Sequence, residues 1–109
     1  SMPWALPVFC LGEFLRVLTH PGVFETPHSS EEAAEALQRL LDSPSVVVLT
    51  PQERYPGLLL EAMTEGDARG NLAPDAQIVA VCREWGVDHL LSEDRDFRRW
   101  KGMRVESLG

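Results

Sequence analysis

Gly70-Asn71-Leu72-Ala73-Pro74-Asp75-Ala76 is the stretch on which the reading of this 109-residue chain turns. Gly70 and Asn71 are turn residues, and Pro74 carries the fixed φ of a first helical turn. Asp75 then puts a carboxylate where the helix dipole favours negative charge. The apolar positions that follow, Ile78, Val79, Val81, Cys82 and Trp85, form one wide stripe, so the helix faces a core and stops at Gly86. Val87 to Leu91 reads as a buried strand. Leu91-Ser92-Glu93-Asp94-Arg95-Asp96-Phe97 leads from that strand into a short helix over Asp94 to Trp100. Helix, strand and helix with acids at the junctions is an α/β pattern.

Working outward, Ala5 to Cys10 is apolar on both faces and reads as a buried strand, with Pro7 as a residue that prefers an edge. Leu11, Phe14, Leu15 and Leu18 have helical spacing, and Pro21-Gly22 ends that helix. Ser29 or Ser30 caps a helix that runs to about Leu41. Val46 to Leu49 is a short β-branched run. Thr50-Pro51 is read as the start of a helix, interrupted at Pro56-Gly57 and resumed from Leu58 to Glu65, with a flexible loop from Gly66 to Gly70. Met103 to Ser107 is a last, edge strand. The fold class expected is α/β, a parallel sheet flanked by helices. Leu6 to Cys10, Val46 to Leu49 and Val87 to Leu91 are expected to lie parallel in one sheet.

The length supports one domain, residues 2–109, with Ser1 read as a residue left ahead of a start methionine. Hydrophobic residues make up 44% of the chain, enough for a core. Apolar runs are far shorter than a membrane span and no signal peptide is visible, so a cytoplasmic protein with no membrane segment is expected. Cys10 and Cys82 sit in apolar contexts without metal-ligand neighbours and read as reduced core thiols, not zinc ligands. His20, His28 and His89 read as surface or packing residues, and Trp4, Trp85 and Trp100 as core or interface aromatics. Net charge is −7, yet five of the ten basic residues fall between Arg95 and Arg104. That cluster reads equally as an RNA path or as a solvated face.

In open parallel sheets, sites form outside the carboxyl ends of the strands. Glu13, Asp75 and Asp94 all fall after strands or at helix starts reached from strands. Carboxylate oxygens and waters suit Mg2+ or Mn2+, and Asp96 is a possible fourth ligand. Each acid has an ordinary alternative: Glu13 on a solvent face, Asp75 as a dipole charge, Asp94 as an N-cap with Asp96 in the first turn. Arg16, three residues after Glu13, reads as its structural ion-pair partner. Asn71 either contacts substrate or serves the turn.

With Glu13-Phe14-Leu15-Arg16-Val17 and Thr19-His20-Pro21, these motifs resemble the PIN-domain ribonucleases of the VapC toxin type, from Trp4 nearly to the end of the chain. The resemblance implies a Mg2+- or Mn2+-dependent ribonuclease of a toxin–antitoxin system, with an antitoxin partner, an RNA substrate and homo-oligomers. It places Glu13, Asp75 and Asp94 at the catalytic, metal-binding positions, with Asp96 near the last. Ser92 matches a small hydroxyl residue before the acidic pair, and Asn71, Ser92, Arg95, Arg98 and Arg99 fall on the substrate side. The family pattern opens with a further strand that bears an aspartate, and the chain begins at what resembles the second strand. An N-terminally truncated PIN-like domain is therefore expected. It would form at least a dimer to cover the open slot, and cleave weakly or not at all. The alternative is a catalytically inactive oligomeric scaffold or antitoxin-binding protein. A generic α/β binding module leaves the acids as coincidence.

Overall fold

The computed structural model describes residues 4–22, 26–91 and 95–106. In chain order it contains β1 (Trp4–Pro7), α1 (Phe9–Thr19), α2 (Ser30–Leu41), β2 (Val46–Leu49), α3 (Tyr55–Glu65), a 3-10 turn (Gly70–Leu72), α4 (Ala73–Glu84), β3 (His89–Leu91), a 3-10 helix (Arg95–Arg99) and β4 (Arg104–Glu106). This is the α/β order expected. The chain forms two compact units, Ser1–Val48 and Leu49–Gly109.

In the first unit β1 pairs with β2, and the Trp4 amide donates to the Ser45 carbonyl. β1 is shorter than the sequence suggests, because Phe9 and Cys10 belong to α1. Pro7 has no N–H for a ladder, and Val8 already has helical φ and ψ, so the chain turns at the proline. α1 packs on α2. α2 starts where expected, with a capping box: the Glu32 amide donates to Ser29 Oγ at 3.1 Å, and the Ser29 amide to Glu32 Oε1 at 2.9 Å.

In the second unit α3 packs against α4, and Ala62, Ala76, Val79, Ala80, Val81 and Cys82 are buried. α3 is one helix from Tyr55, not a helix begun at Pro51 and broken at Pro56. Pro56 stands in its first turn, where a missing N–H costs nothing. Its start is held from a distance: the amides of Gln52 and Arg54 donate to the Glu84 carboxylate at 2.7 and 2.8 Å. A carboxylate there also complements the positive end of the α3 dipole.

Both helices end in Schellman motifs. At the end of α4, Gly86 has φ +71, its amide donates to Arg83, and Val87 donates to Cys82 at 2.8 Å. At the end of α3 the left-handed residue is Asp67 (φ +46), with bonds from Asp67 to Thr64 and from Ala68 to Met63. The glycine stands one place earlier, for a steric reason: a Cβ on Gly66 would lie 2.5 Å from the Trp100 ring. Packing takes the glycine, and aspartate tolerates the left-handed position. The segment after α3 is thus no loose loop, since Gly66 and Ala68 are buried.

β3 and β4 run parallel, with His89 opposite Arg104 and Leu91 opposite Glu106. β3 starts two residues later than expected because the Val87 amide is already bound to Cys82. Among the described residues the backbone bonds make two ladders, β1–β2 and β3–β4, rather than one ladder through all three buried runs. A short crossover through the 3-10 helix closes β4 onto β3 at low loop entropy. Of the three tryptophans, Trp100 is 1% exposed, whereas Trp4 and Trp85 are 59% and 46% exposed. Trp85 is fixed by its indole N–H, which donates to the Thr50 carbonyl at 2.8 Å.

Candidate metal centre

Glu13 lies on the exposed side of α1, in the first unit. Arg16 Nε donates to its two carboxylate oxygens at 3.1 and 3.0 Å, and Nη2 bonds Oε1 as well. These hydrogen bonds, and then the guanidinium charge, hold the Glu13 carboxyl below the usual glutamate range. The structural ion pair read from the i, i+3 spacing is therefore present. A cation that uses Glu13 must displace Arg16. Arg16→Ala is expected to raise the Glu13 carboxyl pKa back toward the ordinary value in an NMR pH titration. An unmoved titration would show that the guanidinium does not hold that carboxylate.

Asp75 is in the first turn of α4, half-buried, directly after Pro74. The 3-10 turn before it begins at Gly70 (φ +53), and Asn71 is exposed on that turn. Asp96 is exposed in the first turn of the 3-10 helix that Arg95 opens. Arg98 is exposed, while Arg99 donates Nη1 to the Gly66 carbonyl at 2.6 Å and ties that helix to the end of α3. Ser92 and Asp94 lie outside the described residues. Asp75 and Asp96 belong to the second unit and Glu13 to the first. Among the described residues no group of three or more His, Cys, Asp or Glu side chains is close enough to hold a metal ion.

The donor chemistry fits a hard cation: the candidate ligands are all carboxylates, and Mg2+ or Mn2+ prefers oxygen. The thiols are not part of it. Cys82 is buried within α4, and burial, then the Glu13 charge, pushes the Cys10 thiol upward. A concavity of about 340 Å³ in the first unit is lined by Trp4, Leu6, Leu40 and Val46. It is apolar and contains none of the candidate carboxylates, so it is not this centre.

Two acids that matter to the fold had no local signal. Glu65 accepts from Arg83 at 2.7 and 3.2 Å and from the Lys101 amide at 3.3 Å, and Glu84 caps α3. The Arg83 hydrogen bonds hold the Glu65 carboxyl below its usual range. Their partners are 18 to 36 residues away, beyond any spacing rule.

A family model described as PIN domain matches residues 3–102. The chain belongs to the PIN-domain family. This PIN domain is 34% identical over 92 residues to Ribonuclease VapC48 of Mycobacterium tuberculosis, covering 84% of its own length and 63% of that protein. It is 35% identical over 102 residues to VapC ribonuclease Mb2897 of Mycobacterium bovis (94% and 69%). It is 32% identical over 105 residues to Ribonuclease VapC31 of Mycobacterium tuberculosis (94% and 71%). The chain thus spans 63% of the length of VapC48. The resemblance of this PIN domain to the VapC type is borne out. Among its described residues no helix is long and apolar enough to cross a membrane.

Proposed function

We propose that this PIN domain is a divalent-cation-dependent ribonuclease of the VapC toxin type, one half of a toxin–antitoxin pair. The observation that carries the reading is the family match across residues 3–102, together with relatives named as VapC ribonucleases. That match runs through both compact units and supports one PIN-like domain over residues 2–109.

In this reading Glu13, Asp75 and Asp94 are the catalytic carboxylates that hold Mg2+ or Mn2+, with Asp96 as a further ligand. When bound, the cation lowers the pKa of a coordinated water and stabilises charge on the phosphate. The chain's own part is positional. Asp75 is presented from a helix start whose dipole already favours its charge. Glu13 exchanges its Arg16 partner for the site. Asn71, Ser92, Arg95 and Arg98 are on the RNA side, and Arg99, whose Nη1 is taken by the Gly66 carbonyl, supports them. The partners are an antitoxin protein and RNA, and the compartment is the cytoplasm.

The test is cleavage of a structured RNA by the full chain with Mn2+, and its arrest by EDTA. Cleavage that persists in the chelator sinks the reading. A homo-oligomer, at least a dimer, belongs to the same proposal. Trp4 and Val47, 59% and 44% exposed on the paired strands of the first unit, supply apolar surface for it. Light scattering at micromolar concentration is expected to return a mass of two chains or more, and a stable monomer rules the oligomer out.

A further inference from the structure

The segment that joins the 3-10 helix to β4 alternates burial and charge with a period of three. Phe97, Trp100 and Met103 are buried, and each is followed directly by an exposed cation: Arg98, Lys101 and Arg104. The backbone beneath these cations is fastened. Trp100 donates its indole N–H to the Ala62 carbonyl at 2.8 Å, and Arg99 donates to Gly66. Lys101 is held at both ends of its peptide unit, its amide on Glu65 and its carbonyl accepting from Arg83 Nη2 at 3.1 Å. The Arg104 amide donates to the Asp88 carbonyl at 2.7 Å.

Three of the other basic side chains are paired with acids, whereas Arg39 and Arg54 are exposed on other parts of the chain. Arg16, Arg69 and Arg83 are neutralised by Glu13, Asp67 and Glu65. Among the described residues the side chains of Arg98 and Arg104 make no hydrogen bond or ion pair, and Lys101, also without a side-chain hydrogen bond, adds its charge to that of Arg83 on Glu65. The nearest acids have other engagements: Glu65 holds Arg83, and Asp88 bonds His89, which stands opposite Arg104. Asp96 is the one exposed acid within the 3-10 helix itself. A chain of net charge −7 therefore keeps three exposed cations on a strip whose backbone is fastened.

We propose that Arg98, Lys101 and Arg104 form a rail that binds the sugar-phosphate backbone of the RNA strand, an inference that rests on the ribonuclease reading above. The aromatic residues of the strip, Phe97 and Trp100, are turned inward and tilted against each other, so no ring is offered for base stacking. Charge without anchors reads phosphate and not sequence. The rail positions RNA, and Arg99, tied to Gly66, is part of its foundation.

The experiment is binding of a fluorescein-labelled single-stranded RNA to the full chain in EDTA, across a KCl series. Each lost phosphate contact should flatten the slope of log affinity against log salt by about 0.7. For Arg98→Gln, Lys101→Gln and Arg104→Gln combined, the slope is expected to fall by about 2, with affinity at least tenfold weaker. Arg98→Lys with Arg104→Lys should keep the slope, and Arg39→Gln on α2 should change nothing. An unchanged urea midpoint in the triple variant shows that the strip stays folded. If the triple variant binds with the wild-type slope, or the wild type binds no RNA, the rail is overturned. It is also overturned if polyglutamate of equal charge displaces RNA as well as unlabelled RNA does. RNA held by the rail but left uncut in Mn2+ instead overturns the ribonuclease reading and leaves the rail standing.

Discussion

Trp100→Ala is expected to destabilise the protein by about 3–5 kcal/mol, a large share of the stability of a domain this size. Trp100 is 1% exposed and contributes twice over. Its ring fills the space left open by the missing side chain of Gly66, and its indole N–H satisfies the Ala62 carbonyl at 2.8 Å near the end of α3. Truncation leaves a cavity and removes one of the two hydrogen bonds of the Ala62 carbonyl, which keeps the Gly66 amide at 3.0 Å. The reciprocal change, Gly66→Ala, drives a methyl to within 2.5 Å of the ring and should cost about 1–3 kcal/mol by overpacking. Gly66 has an ordinary helical φ of −88°, so the cost is steric and not conformational. Urea unfolding with an unchanged m-value measures both. A loss under about 1 kcal/mol for Trp100→Ala would mean that the strip and α3 are not fastened through this ring.

Asp75→Ala is expected to lower Mn2+-supported RNA cleavage on the order of a hundredfold, because the cation and the attacked phosphate lose their register. The same is expected of Asp94→Ala. RNA affinity in EDTA should stay the same, since neither carboxylate attracts phosphate. A urea midpoint close to that of the wild type in Asp75→Ala separates loss of activity from unfolding. Asp75→Asn, which keeps shape and removes charge, should match the alanine variant in cleavage. Cleavage that co-purifies with the chain and is unchanged by both Asp75→Ala and Asp94→Ala would defeat the assignment of these carboxylates.

The helices were legible in the sequence because their signals are local. The capping box of α2 is written in Ser29 and Glu32, the start of α4 in Pro74 and Asp75, and its end in Gly86. Each acts through bonds within about one helical turn, which residue spacing can report. The Glu13–Arg16 pair was readable for the same reason. The family motifs were readable too, in Glu13, Asp75 and Asp94 taken in order, although the convergence of those acids is a matter of three-dimensional placement.

By itself, then, the sequence determined the α/β order, the helix caps, the family and the strong concentration of cations from Arg95 to Arg104. The tertiary structure decided what distant partners claim. It put Trp100 in the core and left Trp85 half outside: both indoles find a distant carbonyl, but Trp100 also fills the gap beside Gly66. It shortened β3 by giving the Val87 amide to Cys82, and moved the start of α3 to Tyr55 under the Glu84 carboxylate. It turned Arg99 into an anchor on Gly66, 33 residues distant, and left Arg98, Lys101 and Arg104 outward. Periodicity sees only neighbours along the chain, whereas burial and hydrogen-bond satisfaction are settled by whichever groups folding brings within about 3 Å.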